Sequence, residues 1–211
     1  MKDNIQKILI LAPHTDDGEL GCGGSIARFI EEGKKVFYAA FSTAEESVDP
    51  ELPNNILETE VKAATKKLGI KRENLFIYNN EVRKLNYIRQ EILEELIKLK
   101  KKIKPDIIFM PSINDIHQDH STVAREGLRA FKDRTILGYE LIWNNITFNT
   151  STFIILQHNH VQSKVDALQE YKSQKDKAYM SQDFIFSLAK SRGVQIGKEY
   201  AECFEVIRWV M

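Results

Sequence analysis

The chain is predicted to belong to the α/β class, with helices on both faces of a mostly parallel sheet. Three observations lead there. The runs KILILA (Lys7–Ala12) and DIIFM (Asp106–Met110) are almost wholly apolar, as in strands covered on both sides. Segments with apolar residues at helical spacing alternate with such runs, the order expected of repeated strand–helix units. Gly33, Gly69 and Pro105 punctuate the helix ends, where a left-handed cap or a missing N–H stops a helix at low cost. Together these describe a Rossmann-like three-layer sandwich.

Taken in order, a strand over Lys7–Ala12 is followed by a helix over Leu20–Ile30, whose apolar positions recur every three to four residues before Gly33. Strand Lys35–Phe41, a helix from about Asn55 to Leu68 and strand Leu75–Tyr78 repeat the unit. Helix Tyr87–Ile103 is broken by Pro105 ahead of strand Asp106–Met110, and helix Ser121–Phe131 follows. Strands Ile136–Trp143 and Thr152–Leu156, helices Val161–Lys175 and Gln182–Lys190, and strand Glu202–Trp209 complete the chain. With 211 residues and no repeat or low-complexity tract, a single domain spanning 1–211 is expected.

Bulk composition narrows the partners. The 30 basic and 30 acidic residues cancel, which argues against nucleic acid or an anionic membrane and for a small molecule. The longest apolar runs are too short to span a bilayer. Two cysteines, Cys22 and Cys203, without an early secretion-type segment, suggest a reducing cytoplasm. A homo-oligomer is compatible with all of this.

Chemistry concentrates in two clusters, PHTDDG (Pro13–Gly18) and NDIHQDH (Asn114–His120), each directly after an apolar strand. In open parallel sheets ligands bind beyond the carboxyl ends of the strands, so topology brings the clusters together. His14, Asp17 and His120 supply the imidazole and carboxylate donors of a catalytic Zn²⁺ site that keeps a position for water; another divalent transition metal is compatible. Asp16 can point away from its neighbour and act as general base. A protonated His117 could hold a developing oxyanion or protonate a leaving amine, with Asp119 orienting a histidine. Taken singly, each cluster has a plain structural account: an Asx turn feeding a helix, or Asp119 capping the helix near Ser121. Their joint occurrence, each after a strand end, favours one metal per chain.

The glycines of GELGCGGS (Gly18–Ser25) lack the order of a dinucleotide fingerprint and are read as allowing close helix–sheet packing. Both cysteines are read as small buried side chains. The Ser42–Asn54 loop is long enough to form a flap over a site.

At these residues the chain resembles the LmbE-like, or PIG-L-type, zinc-dependent N-deacetylases. PHTDDGELGCGG matches the family's P-H-P-D-D-x-x-x-G-C-G-G, DIHQDH its H-x-D-H, and KSQ (Lys172–Gln174) and YAECFEVIR (Tyr200–Arg208) its C-terminal stretches. The resemblance implies an LmbE-like fold, zinc on His14, Asp17 and His120, Asp16 as base, His117 beside the tetrahedral intermediate and Asp119 as orienting carboxylate. Thr15 replaces the usual proline without displacing a ligand. Arg83 matches an arginine that binds sugar hydroxyls or phosphate in the family, although an exposed surface arginine reads equally well. Trp143 is a candidate for stacking on a sugar, although an aromatic at a strand end reads equally as core or rim packing, and Glu202 is a candidate for supporting the pocket or for pairing with a surface base.

The reaction expected is hydrolysis of an N-acetylglucosamine-type amide by metal-activated water. A phosphate ester or another amide is the alternative substrate, and a non-catalytic carbohydrate- or nucleotide-binding domain the alternative class.

Overall fold

The computed structural model of the protein describes residues 5–210. Among these residues seven strands, β1 (Lys7–Ala12), β2 (Lys35–Ala40), β3 (Leu75–Ile77), β4 (Ile107–Pro111), β5 (Thr135–Tyr139), β6 (Thr152–Leu156) and β7 (Tyr200–Arg208), form one sheet in the order β3-β2-β1-β4-β5-β7-β6. β1 to β5 pair in parallel, whereas β7 runs antiparallel to both β5 and β6. The mostly parallel sheet expected from the apolar runs is therefore present, with antiparallel pairing confined to one end.

Among the described residues six α-helices cover it: α1 (Asp17–Glu31), α2 (Ile56–Lys67), α3 (Arg89–Ile103), α4 (Gln118–Ala130), α5 (His158–Leu168) and α6 (Gln182–Val194). The alternation of side chains along a strand assigns them to two faces. Ile8, Ile10 and Ala12 of β1 join the core with α1, α2, α5 and α6, while Leu9 and Leu11 join α3 and α4 on the other side. No helix among the described residues is long and apolar enough to cross a membrane.

Several boundaries differ from the sequence reading for identifiable reasons. α4 starts at Gln118, not Ser121, because the His117 ring is the cap: its Nδ1 accepts from the Asp119 N–H at 3.2 Å. α5 ends at Leu168, and Lys172–Gln174 form a separate 3-10 turn, so the expected helix to Lys175 is split. β5 stops at Tyr139, which leaves Trp143 in the following turn. β7 begins at Tyr200, two residues earlier than expected.

The glycines of α1 are there for contact. A Cβ on Gly21 would come within 2.3 Å of Tyr139 Cδ2, and the Tyr139 ring is wholly buried. α1 also departs from helical geometry at Cys22 (φ −148°, ψ 25°). Such a break strands backbone groups that must find partners inside the core. Glu202 supplies them: its carboxylate accepts from Gly24 N at 3.0 Å, Ser25 N at 2.7 Å and Ser25 Oγ at 2.6 Å. Lys164 Nζ donates to the Leu20 carbonyl at 2.7 Å and to Glu202 Oε1 at 2.8 Å. Glu202, a candidate pocket residue in the sequence, is thus occupied in holding the two halves of α1 together. Cys22 and Cys203 are free and buried, in line with their reading as small buried side chains.

Removing one member of a buried ion pair leaves the other uncompensated, at a cost of about 3 to 5 kcal/mol. Lys164→Met is expected to lower the unfolding free energy by about 3 kcal/mol. Urea denaturation of the variant beside wild type measures this, and a change under 1 kcal/mol would show that the pair is dispensable.

Candidate active site

β1 sits between β2 and β4, and the chain leaves it towards both sides, so the sheet has a switch point beside β1. A crevice opens there beyond the strand ends. His14, Thr15, Asp16 and Asp17 leave β1 into the start of α1, and Ser112–His117 leave β4 into α4. Each segment needs its sharp turn to present side chains at the sheet's rim.

Three donor atoms converge. His14 Nδ1 lies 3.2 Å from Asp17 Oδ2, Asp17 Oδ2 lies 3.2 Å from His120 Nε2, and His120 Nε2 lies 3.2 Å from His14 Nδ1. A tetrahedral ion holding donors at about 2.0 Å requires separations of about 3.3 Å between them. Two imidazole nitrogens and one carboxylate oxygen thus fit a zinc-like ion, both in spacing and in donor type. The nitrogens of His14, His117 and His120 also lie within 4.8 Å of one another, a group able to hold a metal. His117 fits less well as a ligand through Nδ1, since that atom already accepts from Asp119 N.

The rings are held from behind. His14 Nε2 meets Asp119 Oδ2 at 3.0 Å, and His120 Nδ1 meets Asp115 Oδ2 at 2.8 Å. Each contact leaves the other ring nitrogen facing the shared point, which sets tautomer as well as orientation. Asp119 is itself held by the backbone N–H groups of Arg83 at 2.6 Å and Leu85 at 3.2 Å. The sequence reading gave Asp119 an orienting role and left Asp115 without one. Its signal lay within NDIHQDH, where an aspartate two residues before a capping histidine can close an Asx turn. Asp115 Oδ1 accepts from His117 N at 2.8 Å, as such a turn requires.

Electrostatics reflect the crowding. Burial works to lower the His14 pKa, but the Asp17 charge and the Asp119 and Asp17 contacts outweigh it and hold it up at about 9. Burial likewise opposes ionisation of His120, yet Asp17 and Asp115 raise it to about 10. Asp17, although buried, is drawn well below the carboxylate range by the two imidazoles. Asp16 behaves in the opposite way: burial and the adjacent Asp17 push it up to about 6. The neighbouring aspartates are therefore divided into a permanent anion and a titratable carboxyl.

The surroundings of His117 work against the expected protonated imidazole. Burial and the neighbouring His120 and His14 lower its pKa to about 4. With Nδ1 accepting from Asp119 N, the neutral ring carries its proton on Nε2. It is a hydrogen-bond donor without being a cation.

A cavity of about 320 Å³ opens over these groups, lined by His14, Asp16, Asp17, His117 and His120. Arg83, Trp143, Lys177 and Tyr179 form part of its wall. Arg83 adopts a left-handed backbone (φ 64°), held by its N–H bond to Asp119, and its exposed guanidinium reaches Ser47 Oγ at 3.2 Å. Trp143 stacks on Tyr179 with centroids 4.1 Å apart and 12° between planes, so one face of the indole is already covered. Lys177 and Tyr179 were not singled out from the sequence, because they follow a 3-10 turn far from either cluster. The Ser42–Asn54 loop contributes Ala44 and Ser47 to the wall, and its start is pinned by Ser42 Oγ donating to the Asn80 carbonyl at 2.6 Å.

Comparison with known proteins follows the same lines. Residues 9–131 match the family model described as PIG-L, GlcNAc-PI de-N-acetylase. A protein of Escherichia coli K12 described as an uncharacterized deacetylase, YaiS, is 28% identical over 171 residues, covering 79% of this chain and 90% of its own length. The diacetylchitobiose deacetylase of Thermococcus kodakarensis is 28% identical over 137 residues, which span 61% of this chain and 50% of that protein. The N,N'-diacetylchitobiose deacetylase structure from Pyrococcus horikoshii shares the fold with a TM-score of 0.81 at 21% identity, covering 97% of this chain and 85% of that one. With two-cluster geometry at a sheet switch point and a family match over more than half its length, the chain belongs to the PIG-L, or LmbE-like, family of de-N-acetylases.

Proposed function

We propose that the protein removes the acetyl group from an N-acetylglucosamine-type glycoside by zinc-assisted amide hydrolysis. The observation that carries this is the 3.2 Å triangle of His14 Nδ1, Asp17 Oδ2 and His120 Nε2 with Asp16 beside it. Bound there, Zn²⁺ supplies Lewis acidity for an acetyl carbonyl and makes water a better nucleophile at neutral pH. The deacetylase names of the sequence relatives support the reaction, and the diacetylchitobiose deacetylase supports an amino-sugar substrate.

The protein's own groups divide the remaining work. Asp16 takes a proton from the attacking water and returns it to the departing sugar nitrogen, so that acetate and a free amine result. Its raised pKa lets it do both near neutrality. His117 donates from Nε2 to the oxygen that gains charge as the carbonyl becomes tetrahedral. This replaces the protonated acid expected from the sequence with a neutral donor. Asp119 and Asp115 keep the two imidazoles aimed, while Arg83 and the free face of Trp143 contact the sugar or its substituent.

Asp16→Asn is expected to keep about one zinc per chain while kcat for acetate release falls at least about 100-fold; metal analysis and an acetate assay over N-acetylglucosaminyl conjugates read both. Full activity in that variant would remove Asp16 from the mechanism. His120→Ala is expected to lose zinc together with activity, and an undiminished metal content would refute the ligand set.

Two pH effects follow. Metal displaces protons that Asp17 and the orienting carboxylates otherwise keep on His14 and His120, so zinc added to the metal-free protein at neutral pH should release about two protons and bind more weakly as pH falls. A pH-stat titration checks this, and zinc binding without proton release would contradict it. As Asp16 must be ionised to act, kcat/KM should be present above its pKa and lost as pH drops through it. The midpoint is expected at or below about 6, since a neighbouring cation favours the carboxylate.

A further inference from the structure

Asp16 is the N-cap residue of α1, and its side chain makes no capping hydrogen bond to the helix. Its aim is therefore set by the backbone that carries it. On the carboxyl side that backbone is fixed in the ordinary way, with Leu20 N donating to Asp16 O at 3.0 Å. On the other side the peptide linking Thr15 to Asp16 is fixed by two phenols from distant parts of the chain.

Tyr38 of β2 donates to the Thr15 carbonyl at 2.8 Å, and Tyr171, in the turn after α5, reaches the same oxygen at 2.7 Å. Both phenols also meet the Glu19 carboxyl, Tyr171 Oη at 3.1 Å from Oε1 and Tyr38 at Oε2. Gly18 N donates to Tyr38 Oη at 3.1 Å. The four residues close a ring, Thr15 to Tyr38 to Glu19 to Tyr171 and back. None of them is more than 1% exposed. Each phenol has one proton to give; with both given to the Thr15 oxygen, the close Glu19–Tyr38 contact is made by a proton on the Glu19 carboxyl, and rotation of the peptide plane would break both bonds to Thr15 at once.

We propose that Tyr38 and Tyr171 are positioning residues for Asp16: by clamping the Thr15 carbonyl they hold the Thr15–Asp16 peptide and direct the Asp16 carboxylate into the cavity beside the triangle of donors. This rests on Asp16 being the proton acceptor of the reaction proposed above. Neither tyrosine lines the cavity, so their effect on chemistry passes only through the peptide they hold. A misplacement of a catalytic group by about 1 Å can cost about 100-fold in rate.

The test compares Tyr38→Phe, Tyr171→Phe and the double variant with wild type. Tyr139→Phe serves as the control, because the Tyr139 hydroxyl is equally buried but donates to the Leu11 carbonyl at 2.9 Å and not to the Thr15–Asp16 peptide. The double variant is expected to keep about one zinc per chain and a KM within about twofold, while kcat falls about 100-fold; each single variant should lose about 10-fold and the control less than about twofold. Crystal structures of the zinc-loaded double variant and wild type should show the Asp16 carboxylate displaced, with His14, Asp17 and His120 in place. Should the double variant fail to fold, Tyr171→Phe carries the same comparison. The proposal is overturned if kcat survives, if it falls equally in Tyr139→Phe, if zinc is lost with it, or if Asp16 has not moved. Wild-type protein that releases no acetate from any conjugate would sink the deacetylase reading, and the crystallographic position of Asp16 would then decide the positioning role alone.

Discussion

A single buried carboxylate caught between two imidazoles governs this end of the molecule. Asp17 Oδ2 faces both His14 and His120, and it also accepts the backbone N–H of His14 at 2.8 Å. Its place in the first turn of α1 adds the favourable end of a helix dipole to those contacts. A buried anion of this kind is tolerated only with close positive or hydrogen-bonding partners. The two histidines meet that need without a metal and offer the same nitrogens to one. The three atoms that answer the buried charge are thus the ones that, in the function proposed, would hold the ion.

The surrounding structure makes this arrangement possible. Adjacent pairing of β1 and β4 places residues about a hundred positions apart at the same rim, and the reversal of strand order leaves an opening there. Asp119 and Asp115 then turn the imidazoles from behind, while Glu202 and Lys164 allow α1 to break at Cys22 without stranding its backbone. The close passage of Gly21 over Tyr139 seats that helix on the sheet.

Much of the fold was legible because its signals are local. A strand covered on both faces must be apolar along its length, and an amphipathic helix must repeat its apolar residues at its own period, so KILILA and the segments after it announced themselves. The helix start at α4 was misplaced because His117 caps it with a ring nitrogen, a rarer device than the Ser, Thr, Asp or Asn oxygen that sequence reasoning looks for. Strand direction at the β5–β7–β6 end was not readable in detail, since an apolar run looks the same whichever way it is paired.

By itself the sequence determined which residue types were available: two clusters of histidine and aspartate, each following a strand, suffice to nominate donors and to suggest that they meet, and the fold does bring them together. Only the tertiary structure decided which nitrogen of each ring faces the shared point, that Asp115 meets His120 as Asp119 meets His14, that its surroundings push the His117 pKa down, and that Glu202 is hydrogen-bonded to the broken α1. Residue type and spacing are properties of the chain. Tautomer, proton affinity and direction arise from neighbours at hydrogen-bond distance, and most of those neighbours lie far away in sequence.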